Sequence, residues 1–256
     1  MQIAQVFSKA WQAYKKNWLQ LFYANFLFGL VFVLFLSFLI MGILILSDLA
    51  ASLILILFSF VVVIFLLIPL TGGIIHLSYA ALKKSVHWKE MFMFSKKHWL
   101  PILMAFIVQF IIIGIIFLPS HLVNLLYPSF KSFKYFLIHY LVQIPSYLVA
   151  LLFQFILYAK VIENLPIINC IKRSFEVVKS NYVELLIILL VYFLIFLVSA
   201  FFVLFFIIFF IISIIGIPIA IALIIVYFCG FLLPLHMLLY VSYYSEAIKK
   251  SRKRFK

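Results

Sequence analysis

Long stretches of this sequence contain no charged residue. The longest covers 185–245, which is 61 residues without Lys, Arg, Asp or Glu. A transmembrane helix needs only about 20 apolar residues to cross a hydrocarbon core about 30 Å thick. The whole chain of 256 residues is 69% hydrophobic and 10% charged, more apolar than a water-soluble domain of this size can hide. The sequence therefore predicts an integral membrane protein.

Charged residues and turn signals divide the apolar sequence into spans. Asp48 separates 17–47 from 49–82, and the turn signal at 216–218 (Gly-Ile-Pro) divides the longest run. Charge-free runs at 98–130 and 135–159 supply two more spans. The apolar residues do not alternate with polar ones as in a β-barrel wall. We expect an all-α membrane domain over 1–256, with six transmembrane helices arranged as three hairpins.

One pattern of aromatic and basic residues occurs three times. The three copies are Trp11, Lys15, Lys16, Asn17, Trp18; Phe92, Lys96, Lys97, His98, Trp99; and Phe175, Lys179, Ser180, Asn181, Tyr182. A proline followed 15 residues later by a lysine also occurs three times: Pro69 and Lys84, Pro145 and Lys160, Pro234 and Lys249. Such spacing predicts internal repeats, with units at about 1–84, 85–160 and 161–250 and a basic cytoplasmic tail at 251–256.

Each copy of the pattern has the periodicity of an amphipathic helix. In the first copy Phe7, Trp11, Tyr14 and Trp18 share one helical face. We therefore expect an interfacial helix before each hairpin, lying in the plane of the membrane surface. The candidate contacts to lipid headgroups are Lys15, Lys16, Lys96, Lys97, Lys172, Arg173 and Lys179. A purely anchoring role for these helices remains open.

The repeated prolines predict bent helices. Pro69, Pro145 and Pro234 each fall in the second helix of a hairpin, where proline removes a backbone hydrogen bond and kinks the helix. Three bent helices could meet around a pseudo-threefold axis, or the hairpins could pack in a row. The sequence does not decide between these arrangements.

The distribution of positive charge predicts the orientation. Eighteen of the 20 Lys and Arg residues fall on one side of the predicted spans, and only Lys131 and Lys134 fall on the other. By the positive-inside rule, both termini face the cytoplasm and the protein lies in the cell (inner) membrane. This topology accounts for the net charge of +14 without nucleic-acid binding, and anionic membrane lipids are the expected partners of the basic segments.

The sequence contains no pattern typical of an enzyme. It lacks a glycine-rich phosphate loop, a zinc-protease helix motif and a nucleophile elbow. Its few acidic residues form no motif of two neighbouring carboxylates. Cys170 and Cys229 have no neighbours at metal-ligand spacing, so they are expected to be packing residues. We expect no catalytic residues, no cofactor and no metal.

The segment from Glu163 to Asn181 resembles a recurring segment of prokaryotic six-helix membrane families. In those families a glutamate, a short loop and two basic residues with a serine precede an amphipathic helix that ends in Lys-x-Asn, as Lys172, Arg173, Ser174 and Lys179 to Asn181 do here. They include the membrane domain attached to some glycerophosphodiester phosphodiesterases and the YciC-like proteins. The resemblance implies a multi-pass inner-membrane protein and transfers no catalytic residue, because the phosphodiesterase chemistry resides in a separate soluble domain.

Two classes of function remain after these exclusions. The first is a non-enzymatic scaffold or lipid-associated accessory protein, acting with a membrane or cytoplasmic protein partner. The second is a transporter or channel-like protein for an apolar or amphiphilic substrate. The scarcity of charged residues within the spans favours the first, because a polar pathway needs polar lining groups.

Overall fold

In a computed structural model, the residues that the structure describes are 3–44, 49–126, 133–211 and 224–254. They are helical except for short turns and loops at 82–88, 152–155, 164–166 and 180–181. No strand occurs in the described ranges. The α-helices are α1 (Ile3–Leu44), α2 (Leu49–Val62), α3 (Ile68–Ala81), α4 (Lys89–Leu126), α5 (Phe133–Leu151), α6 (Ile156–Glu163), α7 (Ile167–Lys179), α8 (Tyr182–Ile211) and α9 (Leu233–Arg254). Two π-helical segments, Val63–Leu67 and Val226–Leu232, precede α3 and α9.

Six helical stretches are long and apolar enough to cross a membrane. They are Ile3–Leu44, Ala50–Ala81, Lys89–Leu122, Gln143–Glu163, Tyr182–Phe201 and Val226–Lys250. This number confirms the prediction of an all-α, multi-pass membrane protein. The predicted turns at Asp48 and at 216–218 lie outside the described residues, as does Lys131.

The three amphipathic segments connect to the spans that follow them in different ways. In the second copy, α4 departs from helical geometry at His98 (φ −117°, ψ 19°), where Pro101 follows closely and disfavours a regular helix before it. In the third copy, α7 ends at Lys179 and α8 begins at Tyr182.

The first copy corrects the prediction of a separate surface helix. Helix α1 runs without interruption for 42 residues, about 63 Å at 1.5 Å per residue, so its amphipathic part and its span form one helix. No proline or glycine occurs in α1 before Gly29, so the first 26 helical residues contain no helix-breaking residue.

The buried core and the exposed apolar surface occupy different parts of the helices. Buried residues concentrate in 67–82, 155–161 and 232–248, and are packed by α1, α4 and α7. Large exposed apolar side chains concentrate instead in the outer parts of the spans, such as 30–66. Such wide apolar exposure is expected where lipid tails, and not protein, surround the helices.

The prolines lie next to irregular helix in two of the three copies. The π-helical segments end two residues before Pro69 and Pro234, whereas α5 continues through Pro145. The interruption in the second copy comes later, at 152–155, between α5 and α6. π-Helical turns often occur at functional positions because they leave backbone groups available for other partners.

Candidate functional site

The repeated pattern forms three similar sites, which we call the junctions: residues 14–18, 95–99 and 178–182. Each junction is the place where an amphipathic segment meets a span, at the positions where the three copies of the pattern coincide. Each junction contacts the second helix of two predicted hairpins. One of these hairpins belongs to the junction's own predicted unit and the other to a different unit. These contacts determine where the candidate lysines lie.

The first kind of contact joins a junction to the end of the second helix in its own unit. Asn17, which is buried, donates from Nδ2 to the carbonyl oxygens of Ala81 (3.3 Å) and Lys84 (3.4 Å). Its Oδ1 accepts from the Val86 N–H at 3.0 Å. One amide side chain therefore closes the chain reversal after α3.

The equivalent positions in the other two units contact equivalent places. Asn181 accepts a hydrogen bond from Lys250 Nζ (3.0 Å) at its Oδ1 and one from the Tyr243 hydroxyl (3.1 Å) at its backbone oxygen. His98 lines a small cavity together with Lys160 and other residues at the end of α6. All three repeat positions thus lie near the C-terminal end of the second helix in their own predicted unit.

The second kind of contact joins a junction to the irregular second helix of the preceding predicted unit, where the third predicted unit counts as preceding the first. The Tyr14 hydroxyl donates to the Gly230 carbonyl at 2.8 Å. Gly230 is four residues before Pro234, and the proline ring removes the usual helical donor for that carbonyl. A side chain from the start of the sequence therefore satisfies a backbone group near its end, as is required where water is scarce.

The other two junctions make related contacts. The Ser95 hydroxyl lies 2.8 Å from the Pro69 carbonyl, and the Trp99 ring stacks on Phe65 with centroids 5.9 Å apart. The Tyr182 hydroxyl donates to the Leu148 carbonyl at 2.9 Å. The sequence placed Tyr14 on the aromatic face of the first copy but did not indicate the hydrogen bonds of Tyr14 and Ser95, because their partners lie in other predicted units.

Apolar grooves lie beside two of these inter-unit contacts. The first, which we call the Lys96 groove, has a volume of about 410 Å³ and lies between the π-helical segment before α3 and the second junction. Its lining residues are Val31, Phe65, Leu66, Pro69, Leu70, Phe92, Ser95, Lys96 and Trp99. Lys96 is its only charged lining residue in the described part of the chain.

The second groove, which we call the Trp18 groove, occupies the corresponding place at the first junction. It has a volume of about 370 Å³ and is lined by Tyr14, Trp18, Leu19, Phe22, Val226, Gly230 and Phe231. None of these residues is charged. The two grooves thus share a position in the repeat but differ in charge.

The carboxylates and the candidate lysines have different partners. Each glutamate in the described ranges forms an ion pair: Glu90 with Lys84, Glu163 and Glu176 with Arg173, Glu184 with Lys250, and Glu246 with Lys9 and Lys249. The lysines among the candidate lipid contacts are exposed and have no ion pair with a described carboxylate: Lys15, Lys16, Lys96, Lys97, Lys172 and Lys179. Two of these lysines lie over aromatic rings, Lys15 over Trp11 and Lys179 over Phe175, but none of the six is neutralised by a described carboxylate.

Arg173 differs from the six lysines. Its guanidinium forms two hydrogen bonds with the Glu163 carboxylate, Nε to Oε1 at 3.1 Å and Nη2 to Oε2 at 3.0 Å. The hydrogen bonds to Glu163 raise the pKa of Arg173 above its usual value. The structure therefore places this candidate lipid contact in an internal ion pair.

The interruption between α5 and α6 is closed by side chains from two other helices. The Ser174 hydroxyl donates to the Leu152 carbonyl (2.7 Å) and accepts from the Phe155 N–H (3.1 Å). Gln109 donates to the Gln154 carbonyl (3.3 Å) and accepts from the Leu157 N–H (3.2 Å). Both side chains replace helical hydrogen bonds that the interruption removes.

Burial raises the pKa of the Cys170 thiol to about 11, which keeps it protonated near neutral pH. Within the residues that the structure describes, His, Cys, Asp and Glu form no group of three or more that could hold a metal ion.

No family model, curated protein or solved structure matches this chain. The resemblance of the Glu163–Asn181 segment to the six-helix families therefore stays a prediction. The polar residues of that segment nevertheless have clear local roles, in the Glu163–Arg173 ion pair and in the contacts of Ser174.

Proposed function

We propose that this chain is a non-enzymatic, lipid-associated membrane protein that binds anionic lipid headgroups at its junctions. The observation that carries the proposal is the position of the six exposed lysines. They have no carboxylate partner in the described chain, and five of them lie in junctions beside apolar surface. Anionic lipids attract such cations at the membrane surface with about 1 kcal/mol per residue.

The proposal includes a cyclic arrangement of three repeats, at about 1–84, 85–160 and 161–250. It is supported by the paired contacts of each junction, to its own unit through Asn17, His98 or Asn181 and to the preceding unit through Tyr14, Ser95 or Tyr182. In each unit, the helix that follows the irregular turn begins beside the junction of the next unit. The same helix ends beside the junction of its own unit. Such a ring presents three junctions to lipid around one buried core.

The proposed orientation places the junctions at the cytoplasmic surface of the cell membrane. The charge asymmetry of the sequence supports it, since nearly all Lys and Arg residues occur on the side of the junctions. That surface is rich in anionic lipids in many membranes. It is also where a cytoplasmic protein partner would reach the exposed part of the basic helices.

The packing of the interior supports a lipid-associated role over transport of a polar solute. The buried polar side chains in the described chain are serines and asparagines, together with the hydroxyls of buried tyrosines such as Tyr243 and Tyr244, and none is charged. The core around the irregular helices consists mainly of Leu, Ile, Ala and Val side chains, together with the tyrosines Tyr158, Tyr243 and Tyr244. A polar pathway would require lining groups at this depth. The grooves are apolar and open to lipid. The transport alternative to be tested is therefore the movement of an amphiphilic cargo.

The test is the lipid composition retained by the purified protein. We would reconstitute it in nanodiscs with equal amounts of phosphatidylglycerol and phosphatidylcholine, extract it in mild detergent, and measure the bound lipids by native mass spectrometry. Wild type is expected to retain phosphatidylglycerol preferentially. A Lys96→Gln, Lys97→Gln double variant should lose part of that preference.

A matched control removes two positive charges from the chain segment just before the second junction. Lys83 and Lys89 are also exposed and lie between α3 and the second junction, but neither lines a groove. The Lys83→Gln, Lys89→Gln variant should retain the wild-type lipids. Equal lipid retention by wild type and both variants would overturn the proposal, and flipping of a labelled lipid in proteoliposomes would favour the transport alternative.

A further inference from the structure

The Lys96 groove combines an apolar wall with a single cation at its edge. Phe65, Leu66 and Trp99 are each at least 40% exposed, so the groove opens onto the outer surface of the helices and not into the core. In a membrane this surface faces lipid tails. A molecule that fills it must therefore be apolar along most of its length.

The cation at the edge has no competing partner inside the described protein. Lys96 is exposed and unpaired, whereas Ser95, the neighbouring polar lining residue, already donates toward the Met91 and Pro69 carbonyls. Trp99 lies three residues further along the chain, and tryptophan favours the depth of the headgroups. The groove thus has an apolar wall at tail depth and a positive charge at headgroup depth.

The Trp18 groove provides an internal comparison. It has nearly the same volume and the same place in the repeat, but its lining contains no charged residue, and its polar Tyr14 hydroxyl is bonded to Gly230. Lys15, the repeat equivalent of Lys96, instead lies over the Trp11 ring with its Nζ 5.4 Å from the ring centroid. A cation held over an aromatic ring is partly compensated there.

We propose that the Lys96 groove is a selective site for one acyl chain of an anionic phospholipid, with the Lys96 ammonium group binding its phosphate. The Trp18 groove binds an acyl chain without selecting the headgroup. This inference rests on the proposed lipid-associated function and names its lipid class and position. A zwitterionic lipid also carries a phosphate, but its choline cation cancels the net charge that Lys96 would attract.

The test uses the tryptophans that line the two grooves. One variant keeps Trp99 alone (Trp11→Phe, Trp18→Phe, Trp88→Phe), and another keeps Trp18 alone (Trp11→Phe, Trp88→Phe, Trp99→Phe). Each would be placed in bilayers where phosphatidylglycerol or phosphatidylcholine carries brominated acyl chains, which quench nearby tryptophan fluorescence. Titrating one lipid against the other gives the relative affinity at each tryptophan.

We expect Trp99 to report a roughly fivefold preference for phosphatidylglycerol, the ratio expected for one cation near the membrane surface. Trp18 should report a ratio near one. Lys96→Gln in the Trp99 background should abolish the preference, whereas Lys97→Gln, which removes an adjacent exposed charge outside the groove, should preserve it. Lys96→Arg should also preserve it.

Other results would overturn the inference. An equal preference at Trp18 and Trp99, or an equal loss with Lys96→Gln and Lys97→Gln, would show general surface attraction without a selective groove. If inorganic phosphate competes for the Lys96 ammonium group while quenching by the brominated tails stays unchanged, the site binds an anion but holds no lipid chain. If Trp99 shows no preference while native mass spectrometry still finds retained phosphatidylglycerol, the assignment of the Lys96 groove is wrong but the proposed function is not contradicted. Loss of both signals contradicts the proposed function as well.

Discussion

Arg173 binds both carboxylate oxygens of Glu163, through Nε at 3.1 Å and Nη2 at 3.0 Å. The Tyr244 hydroxyl donates to the same carboxylate at 2.7 Å, so one ion pair connects α6, α7 and α9. Both charged side chains are largely buried. An ion pair with this geometry is costly to break because the remaining partner is left as an uncompensated charge.

Arg173→Ala is therefore expected to destabilise the protein by about 3 kcal/mol. Lys172→Ala, at the adjacent exposed position, should change stability by less than about 0.5 kcal/mol. Thermal unfolding of the detergent-purified proteins, followed by static light scattering and tryptophan fluorescence, measures both. Arg173→Lys should restore only part of the loss, because lysine cannot make two parallel hydrogen bonds. Equal melting temperatures for Arg173→Ala and Lys172→Ala would contradict this prediction.

Ser174→Ala should destabilise the protein by about 1–3 kcal/mol. The change leaves the Leu152 carbonyl and the Phe155 N–H without their partner at the interruption between α5 and α6. Ser180→Ala is the control, since the Ser180 hydroxyl is exposed and bonds only within its own helix end and to Asn181. Hydrogen exchange by mass spectrometry should show faster exchange across 150–158 in Ser174→Ala only. Unchanged exchange in that segment would mean that the serine does not hold the interruption.

The sequence was sufficient to predict the membrane class. Charge-free runs longer than a bilayer core leave few alternatives to transmembrane helices. The amphipathic period also placed the basic residues of each copy largely away from its aromatic face. Both predictions depend on local spacing, which a sequence displays directly.

The sequence could not predict contacts between distant residues. Tyr14 and Gly230 are separated by 216 positions, and nothing in either neighbourhood indicates the other. Arg173 has the same local pattern as Lys172, yet its partner is determined by how the chain reverses at Asn164, which adopts a left-handed conformation with φ 51°. The continuity of α1 was missed because the repeat suggested a break that the first copy lacks.

Cys170 should react slowly with maleimides at neutral pH. Its side chain is fully buried and burial raises its pKa to about 11, so both access and thiolate formation are limited. In a Cys229→Ser background, Cys170 should label at least tenfold more slowly than a cysteine introduced by the control change Lys172→Cys in a Cys170→Ser, Cys229→Ser chain. Unfolding should abolish the difference. Rapid labelling of native Cys170 would contradict the packing of α7.

The same pKa shift predicts a decrease in stability at alkaline pH. An unfolded cysteine loses its proton near its ordinary pKa of 9.0, whereas the folded thiol keeps it up to about 11. The unfolded state therefore binds fewer protons between these values, so this contribution to stability is present below pH 9 and decreases above it. Cys170→Ala should reduce the fall in melting temperature between pH 8.5 and 10. An identical pH profile in both proteins would show that the thiol does not contribute.

Two glycines provide the sharpest test of the packing between α3 and α4. A Cβ atom at Gly73 would lie 2.5 Å from the Met91 carbonyl oxygen, which is backbone and cannot rotate away, whereas a Cβ at Gly114 meets nothing within 4 Å. Gly73→Ala must therefore push the two helices apart and should cost about 1–3 kcal/mol. Gly114→Ala should be neutral or stabilise by up to about 1 kcal/mol, because alanine favours a helix. Melting temperatures would reveal the opposite signs, and brominated-lipid quenching of Trp99 would show whether a shift of α4 also disturbs the Lys96 groove. If both alanines are tolerated equally, the close approach of α3 to α4 at Gly73 is wrong.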